Sequence, residues 1–188
     1  MKVSKELPLS LHKARENGFQ FAPLRMIFDV KVDLIRKSRL VIGGHVVNSS
    51  GHNLYASIIK SVSARILMKI AAANHLDVMT GDIGNAYLNV NAEEKFYTNV
   101  SPDFELVGIM DEGYLLEVIK ALYGLPTFDN RWHAHLSHTL REIGFNPTRF
   151  DLDVWIRGCK GGYDYIGTHT DDVLFVAIEP NYIFEKLK

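Results

Sequence analysis

The chain has 188 residues, 47% hydrophobic and 23% charged, with a formal net charge of -1. A chain this long buries roughly 70% of its unfolded surface, and its composition excludes a disordered tail, collagen and a coiled-coil rod. The single cysteine, Cys159, excludes an internal disulfide framework and fits a reducing compartment, and no secretory h-region or membrane-length apolar run is visible, so an intracellular protein without a membrane partner is expected.

Residues 1–20 are weakly patterned, and 21–188 read as one domain. Residues 27–34 (IFDVKVDL) alternate as a half-buried strand should, and 39–43 (RLVIG) continue as a short apolar strand. Residues 46–56, rich in Asn, Ser and Gly, predict a loop. A helix is expected over 57–74, with Ile58, Ile59, Val62, Ile66, Leu67 and Ile70 on one stripe. Leu76 to Met79 read as a buried strand broken by Gly81-Asp82. Short strands follow at 96–100 and 114–119. Pro126 precedes a second helix with Phe128, Trp132, Leu136, Leu140 and Ile143 at helical spacing, ended by Gly144. After a strand at 153–157 and a Gly161-Gly162 turn, YDYIGTH and VLFVAIE form a hairpin with Thr170-Asp171-Asp172 at its tip. Strands and helices mix without a βαβ rhythm, which predicts an α+β fold. A central antiparallel sheet should carry 76–82 beside the late hairpin, with both long helices on the face away from the acids.

Charge is unevenly spread. Residues 1–39 hold nine Lys and Arg against four acids, whereas 91–118 hold seven acids and one base, Lys95. This split allows phosphate contacts in one region only, the amino-terminal third, and both stretches also read as solvated faces.

Asp82 closes one predicted strand, and Asp171 and Asp172 sit at the tip of a hairpin. Pairing of the two strands would gather three carboxylates at a sheet edge, where their mutual repulsion calls for cations. Hard oxygen donors suit Mg²⁺, and two such ions can activate an attacking oxygen and stabilise a leaving one. Each piece alone also has an ordinary explanation, since Asp is a common turn residue. His45, His52, His133, His135 and His138 lack Cys partners and zinc spacing. Cys159 has no evident His partner.

The string Asp82-Ile83-Gly84-Asn85-Ala86-Tyr87-Leu88-Asn89 resembles the first catalytic motif of copia-type retrotransposon reverse transcriptases. Three further segments follow in that family's order: Lys37 to His45 at the fingers, Ala121-Leu122-Tyr123-Gly124-Leu125 with Trp132, and His169-Thr170-Asp171-Asp172 at the catalytic hairpin. The resemblance implies reverse-transcriptase-like fingers and palm, with a thumb, RNase H, protease and integrase absent, and a remnant or fragment of a longer polyprotein. It implies that Asp82 and Asp171 hold Mg²⁺ (or Mn²⁺) with the backbone carbonyl of Ile83, and that Asp172 is a secondary acid. Tyr87 would gate the sugar, and Lys37 and Arg39 would neutralise the triphosphate, with Lys31 and Arg36 as weaker candidates. The implied partners are an RNA or DNA template–primer and deoxynucleoside triphosphates, in the cytoplasm, a virus-like particle or the nucleus.

Departures from the family pattern are Pro126-Thr127 after Gly-Leu, His169 and Thr170 before the acids, and Gly167 in the leading strand. These leave room for a catalytically inactive remnant with weak nucleic-acid binding. The same acids would also suit a metal-dependent phosphatase or nuclease. As solvated turn residues, they would fit an interaction module.

Overall fold

The computed structural model describes residues 4–30, 32, 34–44, 56–84, 86–99, 115–125 and 127–187, with the backbone alone at 86, 87 and 93. The fold is mixed α+β. Its residues fall into two compact units, 1–54 with 87–128, and 55–86 with 129–188.

In the first unit, β1 (Ser4–Glu6), β7 (Leu115–Lys120), β6 (Asn91–Asn99) and β2 (Gln20–Phe21) form a four-stranded sheet in that order, with β2 parallel to β6. The weakly patterned amino-terminal segment is thus structured. The short helix α1 (Leu11–Glu16) buries Ala14 in a cluster with Leu7 and Tyr97. Sequence periodicity misses it because each element there is too short to show a period.

The strands β3 (Leu24–Val30) and β4 (Arg36–Ile42) pair as an antiparallel hairpin. The strand expected over 27–34 ends at Val30, and Leu34 takes a positive φ of 64°. A β-branched-rich alternating run cannot reveal the point at which the chain turns back. The base of this hairpin is tied to the Ala121–Leu125 segment. The Ile42 N–H donates to the Tyr123 carbonyl at 2.8 Å, and Gly124 (φ 97°) packs against the Ile42 carbonyl.

The second unit is built on an antiparallel sheet in the order β5 (Asp77–Asp82), β11 (Asp172–Ala177), β10 (Gly162–His169), β9 (Val154–Cys159) and β8 (Asn146–Pro147). The strand expected to be buried at 76–79 is instead the sheet's edge. It continues through Gly81 to Asp82 and leaves Val78 44% exposed. Gly81 does not break it, because the missing side chain leaves room for the Phe184 ring.

Helix α2 (Ser61–Asn74) begins four residues later than expected, because the Ile59 N–H donates to Thr168 and the Lys60 N–H to Asp151. Its buried stripe is Leu67 and Ala71, packed with Val154 and Val176, while Val62 and Ile66 are exposed. Apolar residues stand on more than one side of this helix, so spacing alone does not select the buried one. Gly167 is likewise no weak point, since the side chains of Ile59 and Leu67 fill the space beside it.

Helix α3 (Phe128–Glu142) matches expectation closely: Phe128, Trp132, Leu136 and Leu140 are all buried. It ends in a Schellman motif, with Gly144 at φ 90° and the Phe145 N–H donating to the Leu140 carbonyl. Arg141 of α3 stacks on Trp155, whereas α2 packs on Val154. Successive strand residues face opposite sides, so the two helices cover opposite faces of the sheet rather than sharing one. A last short helix, α4 (Pro180–Glu185), sets Phe184 edge-on against Phe175.

Candidate active site

The antiparallel register of β5 and β11 places Asp82 directly opposite Asp172. Directly opposed residues carry their Cβ atoms about 4.5–5.5 Å apart on one face. Across the hairpin, Asp172 faces His169, so His169, Asp172 and Asp82 form a row over three strands. Asp171 occupies the turn itself, and its carbonyl accepts the Ile83 N–H at 3.0 Å. All three sequence-selected acids therefore stand at one end of the sheet. Asp82 and Asp172 are exposed and Asp171 is half-buried.

None of the three acids has a side-chain hydrogen bond or ion pair among the described residues. Nor, among the described residues, do three or more His, Cys, Asp or Glu side chains converge as a metal shell. The donor chemistry nevertheless fits a hard divalent cation: carboxylate oxygens without competing partners, beside the Ile83 backbone.

The turn is tight and strained. Thr170, its first residue, has a φ of 57°, a conformation hairpins usually assign to Gly at this place. For a β-branched residue it costs on the order of 1–3 kcal/mol. Its carbonyl accepts the Trp132 indole N–H at 2.7 Å. Next to it, His133 Nε2 lies 2.6 Å from the Oδ1 of Asp153, a carboxylate only 1% exposed. Burial raises the Asp153 pKa, but hydrogen bonds from His133, Ser57 and Thr168 and the His133 charge outweigh it and hold the carboxyl below its ordinary value. Asp151 is lowered too. Burial opposes this, but the Ser63 hydroxyl and the N–H groups of Lys60 and Asp153 prevail. The trio Ser57–His133–Asp153 is not a nucleophile relay. Ser57 Oγ (3.3 Å) and Asp153 both meet Nε2, leaving no second ring nitrogen in the chain of bonds. Asp153 carries no signal in the sequence, because a buried carboxylate resembles any other Asp in a turn.

In the first unit, Lys37 and Arg39 share one face of β4. Lys37 stands opposite Asp29, and Arg39 lies 3.9 Å from the same carboxylate. Arg36 falls on the hairpin's other face by alternation. Tyr87 is in the short 3₁₀ turn Ala86–Asn89, and its side chain lies outside the described residues, as do Lys31, His45, His52, Asn85 and Pro126.

The order of these motifs has counterparts in known proteins. The chain belongs to the reverse transcriptase (RNA-dependent DNA polymerase) family, whose sequence pattern matches residues 16–188. It is 30% identical over 107 residues to the putative transposon Ty5-1 protein of Saccharomyces cerevisiae, covering 57% of this chain and 34% of that protein. It is 26% identical over 172 residues to the retrovirus-related Pol polyprotein from transposon TNT 1-94 of Nicotiana tabacum, covering 87% of this chain and 13% of the polyprotein. The polyprotein from transposon RE1 of Arabidopsis thaliana is 26% identical over 133 residues, 71% of this chain and 9% of the polyprotein. The chain thus spans about a third or less of these relatives, and the copia-type resemblance read from the motifs is borne out. Among the described residues, no helix is long and apolar enough to cross a membrane.

Proposed function

We propose that the chain carries the fingers and palm of a transposon RNA-directed DNA polymerase, which transfers deoxynucleotides from their triphosphates to a primer 3′-OH. The observation that supports this best is the β5–β11 register, which sets Asp82 beside Asp172 with Asp171 in the adjoining turn. Asp82 and Asp171 would hold divalent cations with the Ile83 carbonyl, and Asp172 would add negative charge to the same edge. Such a cation, when bound, neutralises phosphate charge and makes the primer hydroxyl more acidic.

The chain's own groups then bind and orient. By the family resemblance, Lys37 and Arg39 would donate to the triphosphate oxygens. By the same resemblance, Tyr87 would act at the sugar and select against a 2′-OH. The primer 3′-oxygen attacks the α-phosphorus, its proton leaves, and the bond to pyrophosphate breaks, so positioning and charge supply most of the rate.

Extension of a DNA primer on an RNA template with Mg²⁺ or Mn²⁺ tests this. Duplex affinity rests on phosphate neutralisation and falls steeply with salt, and this chain has a net charge of -1. The expected result is short, low-salt addition of nucleotides, abolished by Asp171→Asn, with little or no processive synthesis. Addition that persists in Asp171→Asn would refute the assignment.

A further inference from the structure

We propose that Trp132 and His133, consecutive on α3, brace the acidic turn so that Asp171 is presented in one fixed position. Trp132 reaches the turn directly, through its indole N–H on the Thr170 carbonyl. His133 reaches it through Asp153, which accepts from Thr168 Oγ1 at 3.3 Å and whose carbonyl accepts the Thr168 N–H at 2.9 Å. One helical turn therefore grips the strand on both sides of His169, immediately before the acids.

Two features point to positioning rather than to stability alone. Thr170 holds a positive φ that a β-branched residue does not keep unless its surroundings impose it, and the Trp132 donor bonds the carbonyl of that same residue. Asp153 and Thr168 are polar groups, 1% and 3% exposed, with the Asp153 carboxylate bonded to both His133 and Thr168. Apolar residues of similar volume would commonly serve stability as well as such a set, whereas hydrogen bonds fix direction. Trp132 and His133 are thus positioning residues. Their importance for catalysis rests on the polymerase reading, but the brace itself does not.

The test uses the full chain with Trp132→Phe, which keeps a ring and loses the donor, and with Asp153→Asn. Amide hydrogen exchange is followed by NMR at Ile83, whose N–H bonds to Asp171, and at Thr168. Losing one such bond should speed exchange roughly five- to tenfold at these amides and leave mid-strand amides of β10 and β11 unchanged. Adding Thr170→Gly, which takes positive φ freely, should return Trp132→Phe towards wild type. Thr170→Gly alone, relieved of the strain, should exchange no faster than wild type. Mn²⁺ broadening of the Asp82 and Asp171 amides, read in parallel, should weaken in both brace variants. Unchanged exchange at Ile83 and Thr168 in both variants would overturn the brace. So would acceleration spread equally through the sheet and not reversed by Thr170→Gly. Absence of Mn²⁺ broadening in the wild type would count against the catalytic assignment, and the exchange result would still decide the brace.

Discussion

Replacing Gly124 with Ala should remove much of the first unit's stability, and the structure says by how much. A Cβ at Gly124 would lie 2.2 Å from the Ile42 carbonyl oxygen and 3.1 Å from Val41 Cγ1. The first neighbour is backbone, so it cannot swing aside as a side chain would. The residue also sits at φ 97°, where Ala costs about 1–2 kcal/mol. Relieving the overlap forces β4 away from the Tyr123 carbonyl, with the loss of a hydrogen bond worth about 1 kcal/mol, and residual overpacking adds about 1–3 kcal/mol. The total, about 3–6 kcal/mol, is a large share of a typical domain's 5–15 kcal/mol. Gly18 is the internal control. It has a similar φ of 80° but nothing within 4 Å of its added Cβ, so Gly18→Ala should lose only the backbone part, about 1–2 kcal/mol. Both tryptophans, Trp132 and Trp155, belong to the second unit, so urea unfolding should be followed by far-ultraviolet circular dichroism. A Gly124→Ala loss no larger than that of Gly18→Ala would show that the hairpin base is not packed as described.

His75 ends α2 in the left-handed region at φ 53°. His75→Gly should therefore raise stability by about 0.5–1 kcal/mol in thermal or urea unfolding, and a loss would contradict the cap geometry. Asp151 and Asp153 have lowered carboxyl pKa values when folded. The stability they supply is complete above the unfolded value near 4 and drains away as pH falls through the folded values. The unfolding midpoint of the wild type should thus fall more steeply below about pH 4 than that of Asp153→Asn, and parallel declines would refute the linkage.

The parts of this fold legible in the sequence are those governed by local periodicity. Helix α3 is the clearest, because Phe128 through Leu140 keep one apolar stripe and Gly144 ends it with a conformation that suits Gly. The late hairpin is legible for the same reason. The placing of 76–82 beside that hairpin is found as the motifs led one to expect, but which strand lies at the edge is not legible, because alternation records which side faces the core and says nothing about neighbours. That is why β5 reads as buried although it lies at the edge. Helix α2 misleads because Ala71, small and easily passed over, is buried while the larger Val62 and Ile66 are not. The acids can be selected from motif resemblance, but their alignment comes from a pairing between distant strands. Asp153 and Thr168 are invisible altogether, since nothing in their sequence neighbourhood marks a buried polar set.

That distant pairing has a consequence for the order in which the molecule matures. Asp82 leaves the ribosome well before β11 exists, and the first unit's returning segment, residues 87–128, is made in between. At a synthesis rate of about 5–20 residues per second, β5 waits several seconds with its neighbour's edge unmade. Non-local strands of this kind close slowly, because chain entropy is lost before the contacts form. A chain cut short before Asp172 would therefore leave β5 open on both edges instead of one, and each open edge is a template for association with another chain. The late strand that completes the acid cluster is also the one that closes the inner edge of the earlier strand.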